Sequence, residues 1–140
     1  MKVFLDTNVI MDVLLEGRPM HEASDIIMRL RISDGIKLYT SSLSIADAAY
    51  LTRKSYTLSE WKNIARGMLD RLKVLALSDF DIYLACKSDC PDFEAAMQIS
   101  IAQTECDIIV TNNVGHFEPY TCLPVMTPAG FLARLSDESI

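Results

Sequence analysis

The most constraining feature of the chain is an acid at the end of a short apolar run, followed by two small polar residues. Residues 3–11 are Val-Phe-Leu-Asp-Thr-Asn-Val-Ile-Met, and Asp6 interrupts the apolar run. A short continuous apolar run is typical of a parallel strand that is buried on both faces. We therefore expect Asp6 at the carboxyl end of a strand, which is the edge where ligands bind in open α/β sheets.

A simpler interpretation of the same stretch is a helix cap. Asp6 can serve only to cap a following helix, and Thr7 or Asn8 can equally cap a helix that starts near Val9. An acid buried at this position costs free energy unless it is hydrogen-bonded, paired or bound to a metal ion. This stretch alone leaves both interpretations open.

Strand-like and helix-like segments alternate along the rest of the chain. After the first strand, further strands are predicted at 36–40, 74–77, 107–111 and 124–126. Helices are predicted at 9–15, 21–33, 41–51, 57–69, 78–86, 92–104 and 128–135. Gly35 follows the second helix, where a left-handed cap is expected. The alternation predicts an α/β fold with a parallel sheet covered by helices on both faces.

Length and composition favour one soluble domain over residues 1–140. Half of the 140 residues are hydrophobic, and no apolar run reaches the length of a membrane span. No secretory signal is visible, so we expect a cytoplasmic protein without a membrane partner and with reduced cysteines. The sequence has no glycine-rich dinucleotide motif and no phosphate-binding loop with its lysine, which argues against a nicotinamide enzyme or a P-loop NTPase.

Basic residues concentrate in one segment of an otherwise acidic chain. The formal net charge is −6, yet residues 53–73 carry six basic and two acidic side chains. Such a patch is compatible with guiding a phosphate backbone, and it is equally compatible with a solvated helix face. The residues predicted to guide RNA are Arg53, Lys54, Lys62 and Arg66.

Several polar residues from scattered positions are predicted to meet at one edge of the sheet. Thr111 and Asn113 follow the fourth strand, while Asp47, Asp92 and Glu94 lie in the first turns of helices. Clustered carboxylates raise each other's pKa unless a cation neutralises them, and hard oxygen ligands suit Mg²⁺ or Mn²⁺. Each residue also has a simpler interpretation, because the same residue types are preferred in helix caps and turns.

Five segments of the chain resemble the PIN domain, the nuclease fold of VapC-type toxins and related prokaryotic ribonucleases. They are FLDTNVIMDVLL, TSSLSIADAAYL, PDFEAAMQISIA, CDIIVTNNVGHF and PVMTPAGFL, in the order of the family and over most of the chain. The resemblance implies a three-layer α/β/α domain around a parallel sheet of four to five strands. It also implies a ribonuclease that cuts single-stranded RNA with acids around one or two Mg²⁺ or Mn²⁺ ions.

The resemblance assigns metal ligands residue by residue. Asp6 matches the first acid of the family, and Asp47 matches the second, where Glu is more usual. Similar sequences usually have Asp-Phe-Glu-Asp in the third segment, and this chain has Ala95 at the position of the last acid. The resemblance makes Asp6 and Asp47 catalytic and metal-binding acids. Glu94, with Asp92 in reserve as a metal ligand, would replace the acid that is absent at position 95 and complete the catalytic set.

The resemblance also suggests the residues that contact substrate. Asn8 and Asn113 would orient a ligand or a metal-bound water, and Arg18 would contact a substrate phosphate. Thr111 belongs to the same predicted set. His116 stands where the family often has another acid and can bind metal or phosphate.

The leading functional hypothesis is a metal-dependent ribonuclease, the toxin of a toxin–antitoxin pair, with an antitoxin partner and a homodimeric state suggested by the family. The alternative is a degenerate PIN domain that binds RNA or a protein partner without cleavage, which Ala95 and His116 favour. A third hypothesis is a phosphatase with a strand-end Asp nucleophile. That chemistry usually requires a second acid at the position of Asn8.

Overall fold

The computed structural model of the protein describes residues 1–138. Its strands within this range are β1 (Lys2–Leu5), β2 (Lys37–Ser41), β3 (Lys73–Leu75), β4 (Ile108–Val110) and β5 (Val125–Met126). Its helices are α1 (Thr7–Leu14), α2 (His21–Met28), α3 (Ser42–Leu51), α4 (Leu58–Leu69), α5 (Asp79–Lys87), α6 (Phe93–Gln103), α7 (Val114–Phe117) and α8 (Pro128–Glu138). The last two residues of the predicted 1–140 domain lie outside the described residues, and the single-domain extent stays a prediction.

The five strands form one parallel sheet in the order β3-β2-β1-β4-β5. Strand β1 is central and alternates its side chains between the two faces. Val3 and Leu5 join one apolar core, and Phe4 joins the other. Helices cover both cores, which confirms the predicted three-layer α/β/α architecture with a parallel sheet.

The strand order places a ligand-binding crevice beside the end of β1. The chain proceeds from β1 to β2 on one side and later returns to β4 on the other side. At such a switch point the connections leave the sheet in opposite directions and open a crevice at the carboxyl ends of the strands. Asp6 follows β1 and Thr111 follows β4, so both lie at this crevice.

The largest departure from the predicted elements follows the second helix. Helix α2 ends at Met28, whereas the sequence predicted a helix to residue 33. Residues Ile32–Asp34 form a separate 3₁₀ turn, because the Asp34 carboxylate accepts a hydrogen bond from the Arg31 N–H (2.8 Å) and starts a new turn there. Gly35 ends this turn with φ 78°, so the left-handed glycine is confirmed but closes a different element.

Smaller differences occur at three other places. The third strand is Lys73–Leu75 rather than 74–77, and the short helix α7 was not predicted. Helix α1 begins at Thr7 with Asp6 as its cap, so the predicted capping by Thr7 or Asn8 is wrong. Within residues 1–138, no helix combines the length and the apolar character needed to cross a membrane.

Candidate active site

Asp6 is both a helix cap and a buried acid at the crevice. Its carboxylate accepts hydrogen bonds from the Thr7 N–H (2.8 Å), the Asn8 side-chain amide (3.1 Å) and the Thr111 hydroxyl (2.8 Å). The side chain is 6% exposed, and burial raises its pKa from the ordinary 3.8 to about 6 despite these hydrogen bonds. The two interpretations of this residue therefore describe one arrangement, in which the cap holds a poorly solvated carboxylate at the end of β1.

A cavity of about 360 Å³ opens above Asp6 and collects most of the predicted residues. Its polar lining is Asp6, Thr7, Asn8, Arg18, Asp92, Glu94 and Asn113. Ala95 lines the cavity as well, so the position where the family pattern has an acid does face the other acids. Arg18 is the one cationic side chain among these lining residues of the described chain.

Asp47 joins the acids through Glu94. A hydrogen bond between these two carboxyl groups, together with partial burial and the charges of neighbouring acids, raises the pKa of Glu94 to about 8. Asp47 lies inside α3 and does not cap it, because the Ser41 hydroxyl accepts the hydrogen bond from the Ser44 N–H (3.0 Å). The capping interpretation of Asp47 is therefore wrong.

Asp92 divides its two carboxylate oxygens between a cap and a histidine. One oxygen accepts a hydrogen bond from the Ala95 N–H (3.1 Å) at the start of α6, which confirms its capping role. The other oxygen lies 3.4 Å from Nδ1 of His116, which is exposed. His116 thus contacts an acid of the cavity without lining the cavity around Asp6.

Sequence reasoning missed a buried acid that holds Arg18. Asp12 is 1% exposed, and its carboxylate accepts hydrogen bonds from Nε of Arg18 (2.8 Å), the Ser24 hydroxyl (2.9 Å) and the Asn112 amide (2.8 Å). The Arg18 guanidinium also contacts the Asn8 carbonyl (3.4 Å). The signal in the sequence was an acid inside the apolar run of the helix predicted at 9–15.

A second missed residue lies beneath the acids. Gln98 is fully buried, and its amide donates hydrogen bonds to the hydroxyls of Ser44 (2.7 Å) and Thr7 (3.2 Å). Its carbonyl oxygen accepts a hydrogen bond from the Ser41 hydroxyl (2.6 Å). One side chain of α6 therefore ties the start of α1 to the start of α3, which fixes the spacing of the elements that carry Asp6 and Asp47.

The donor chemistry of the cavity fits a hard divalent cation. Asp6, Asp92 and Glu94 supply carboxylate oxygens to it, and Asp47 lies beside it in contact with Glu94. The pKa values of Asp6 and Glu94 are both raised partly because these acids repel each other. Across residues 1–138, no three His, Cys, Asp or Glu side chains form a ready-made metal-binding group.

The remaining predicted contact residues do not line the cavity itself. The Thr111 hydroxyl is buried and donates its hydrogen bond to Asp6. Arg53 stacks on Tyr50, with 3.9 Å from its guanidinium carbon to the ring centroid. Neither Arg53 nor Lys54 lines the cavity, and both are exposed.

The structure is a three-layer α/β/α domain with a parallel sheet and an acidic cavity at the carboxyl ends of β1 and β4. A family model described as PIN domain matches residues 2–115, and the chain belongs to this family. Ribonuclease VapC1 of Aquifex aeolicus is 28% identical over 95% of this chain and 94% of its own length.

Two solved structures have the same fold. One is VapBC-1 from nontypeable Haemophilus influenzae, with a TM-score of 0.67, 17% identity and coverage of 92% of this chain and 99% of the other. The other is VapBC2 from Rickettsia felis bound to a DNA fragment from its promoter, with a TM-score of 0.65, 17% identity and coverage of 89% and 97%.

Proposed function

We propose that the protein is a metal-dependent ribonuclease that hydrolyses phosphodiester bonds in single-stranded RNA with Mg²⁺ or Mn²⁺. The observation that carries the proposal is that Asp6, Asp92 and Glu94 line one cavity, while Asp47 of α3 contacts Glu94 beside it. Two of these acids have raised pKa values, as expected for carboxylates placed to share a cation. The similarity of the chain to Ribonuclease VapC1 supports the same reaction.

In this reaction the residues of the chain would orient substrate around the acids. A bound divalent cation supplies Lewis-acid activation of water and stabilises the attacking and leaving oxygens. Asp6 is held by Thr7 and Thr111, so its carboxylate enters the reaction already oriented. Arg18, held by Asp12, presents guanidinium N–H donors suited to a phosphate oxygen.

Neutral donors complete the proposed substrate site. Asn8 and Asn113 border the cavity, and their amides can orient a ligand or a water molecule. His116 lies beside Asp92 and can approach phosphate from the outer side of the cavity.

Exposed cations outside the cavity would guide the RNA backbone by charge alone. They are Arg53, Lys54, Lys62 and Arg66.

A toxin–antitoxin role belongs to the same proposal. The two structural neighbours are VapBC assemblies, which supports an antitoxin partner for this chain, and we expect the pair to act in the cytoplasm. A homodimer belongs to the proposal too, and four exposed aromatic side chains on α3, α5 and α6 offer apolar surface for such an interface. They are Tyr50, Phe80, Tyr83 and Phe93.

A second candidate function is binding without cleavage. Ala95 is 3% exposed and faces the cavity, so one carboxylate of the family pattern is missing from the place where it would act. A site with fewer acids would bind cations more weakly and would still admit RNA beside Arg18.

Cleavage of a mixed single-stranded RNA separates the two candidates. The wild-type protein is assayed with Mn²⁺ and with EDTA, beside Asp6→Asn and the matched control Asp25→Asn, which changes a half-exposed acid of α2 outside the cavity. We expect cleavage that requires Mn²⁺, is lost in Asp6→Asn and persists in Asp25→Asn. RNA binding without cleavage in every sample favours the second candidate, and cleavage that survives Asp6→Asn contradicts the proposed site.

A further inference from the structure

A second cavity lies at the opposite edge of the sheet from the candidate active site. It has a volume of about 770 Å³ and is formed by three segments, 30–33, 36–38 and 69–74. It opens because β3 starts late along β2. Lys37 and Leu38 pair with β1 only, and Tyr39 is the first residue of β2 with a partner in β3. We call this cavity the lower groove.

The lower groove is cationic on an acidic protein. Arg31, Lys37, Arg71 and Lys73 line it with a single acid, Asp70. In the part of the chain that the structure describes, none of these four cations forms an ion pair. The full chain has a net charge of −6, so a groove of +3 leaves −9 on the remaining residues. An anionic ligand would therefore be attracted to this groove and repelled elsewhere.

The lower groove is also lined by aliphatic side chains. Ile36, Leu38 and Leu72 are buried and form its apolar lining, while Ile32 and Leu69 are 77% and 65% exposed. Exposed aliphatic groups beside a concave apolar surface are typical of sites that bind another apolar group. The complementary ligand has to supply apolar side chains as well as negative charge.

We propose that the lower groove binds an acidic, leucine- or isoleucine-containing segment of a partner protein in an extended conformation. The groove offers such a segment cations for its carboxylates and aliphatic contacts for its apolar side chains. The Lys37 N–H donates to the Met1 carbonyl on the β1 side (2.8 Å), so it is Leu38 whose backbone faces the groove, and its N–H can donate a main-chain hydrogen bond to the segment. Single-stranded RNA fits less well, because no aromatic residue lines the groove to stack on bases.

This site is separate from the acidic cavity, and the proposal does not depend on ribonuclease activity. The acidic cavity lies at the carboxyl ends of β1 and β4, and the lower groove at the amino-terminal ends of β2 and β3. A partner segment in the groove would leave the acids accessible.

Fluorescence anisotropy with defined probes tests the proposal on the full chain. The probes are a fluorescein-labelled peptide of alternating Glu and Leu, a peptide of alternating Glu and Ser with the same charge, and an oligouridylate. The variant Arg71→Glu/Lys73→Glu reverses two groove cations, and Lys62→Glu/Arg66→Glu makes the same charge change on the exposed side of α4, outside the groove. Thermal melting verifies that each variant is folded.

We expect the Glu/Leu peptide to bind the wild-type protein about ten-fold more tightly than the Glu/Ser peptide, with affinity that falls as salt rises. The groove variant should lose about ten-fold in affinity, and the α4 variant should stay within about two-fold. Absence of Glu/Leu binding, equal loss in both variants, or displacement of the peptide by oligouridylate would overturn the proposal. A wild-type oligomer that dissociates in the groove variant would identify a second copy of this chain as the occupant and would overturn it as well.

Discussion

Replacement of the buried Asp12 by Ala should destabilise the protein far more than replacement of an exposed acid. In the wild type, the Asp12 carboxylate satisfies the fully buried Ser24 hydroxyl and the Asn112 amide, and it pairs with Arg18. Each buried donor left without an acceptor costs about 1–3 kcal/mol. The Arg18 side chain is 35% exposed, so water replaces part of its lost contact. We expect Asp12→Ala to lower the free energy of unfolding by about 3–5 kcal/mol.

The assay is urea unfolding in EDTA, so that no bound cation contributes to stability. The matched control is Asp25→Ala, which removes an acid from α2 whose partner Arg29 is 73% exposed. An exposed pair of this kind contributes below about 0.5 kcal/mol. The dependence of the unfolding free energy on urea concentration should be the same in all samples. Under that condition, the reasoning is refuted if Asp12→Ala lowers the free energy of unfolding by less than about 1 kcal/mol, or by no more than Asp25→Ala does.

A double-mutant cycle separates the Arg18 contribution. If Asp12 acts on the cavity by holding Arg18, the effect of Asp12→Ala on RNA affinity should vanish in an Arg18→Ala background. The effect on stability should persist there, because Ser24 and Asn112 still lose their acceptor. Additive losses of RNA affinity would contradict a role for Asp12 in positioning Arg18.

Three further predictions follow from the same structure. The first compares the unfolding free energy of the wild type with that of Asp6→Asn in EDTA. Because folding raises the pKa of Asp6 and so favours its protonated form, the wild type should lose up to about 3 kcal/mol relative to the variant as the pH rises from about 4 to about 6. A difference in urea titrations that does not change with pH would contradict this. Gln98→Leu should cost about 3 kcal/mol in the same assay, since three buried hydroxyls lose a partner, whereas a loss below about 1 kcal/mol would show that water reaches them. Gly35→Ala should lower the free energy of unfolding by about 1 kcal/mol, because φ is 78° at this position. The added Cβ has no neighbour within 4 Å, so the cost comes from backbone conformation alone, and an unchanged melting temperature would refute this argument.

Local sequence patterns predicted the elements whose capping groups lie close in sequence. The helices predicted at 57–69 and 78–86 each begin with a capping box in the structure, formed by Thr57 with Glu60 and by Ser78 with Asp81. The position of Asp6 was also predictable, because an apolar run that ends in an acid needs only its neighbours to be interpreted. In each of these cases the deciding interaction spans a few residues.

Long-range partners could not be predicted from the same patterns. Gln98 looks like an ordinary polar residue of a helix, and its buried partners lie 54 to 91 residues away. Asp12 depends on Asn112, which is 100 residues distant. Pairings over such separations are set by the strand order, which one sequence with a simple α/β alternation does not specify.

Ala95 provides the sharpest test of how the acids respond to a cation. A carboxylate at this position would join a cavity where Asp6 and Glu94 already have raised pKa values, so it would add repulsion as well as a ligand. We expect Ala95→Asp to lower the free energy of unfolding in EDTA by about 3 kcal/mol. Mn²⁺ should return much of this loss, since a ligand at about 100 times its Kd contributes about 2.7 kcal/mol.

The neighbouring Ala96 supplies the matched control. The two residues belong to the same apolar core and are 4% and 3% exposed, but Ala95 lines the cavity and Ala96 does not. Ala96→Asp should therefore be destabilised to a similar degree in EDTA and gain no more from Mn²⁺ than the wild type does. Equal Mn²⁺ responses in the two variants would mean that position 95 does not reach the cation. A larger response in Ala95→Asp would mean that the fold keeps the geometry of a metal site from which one carboxylate is missing.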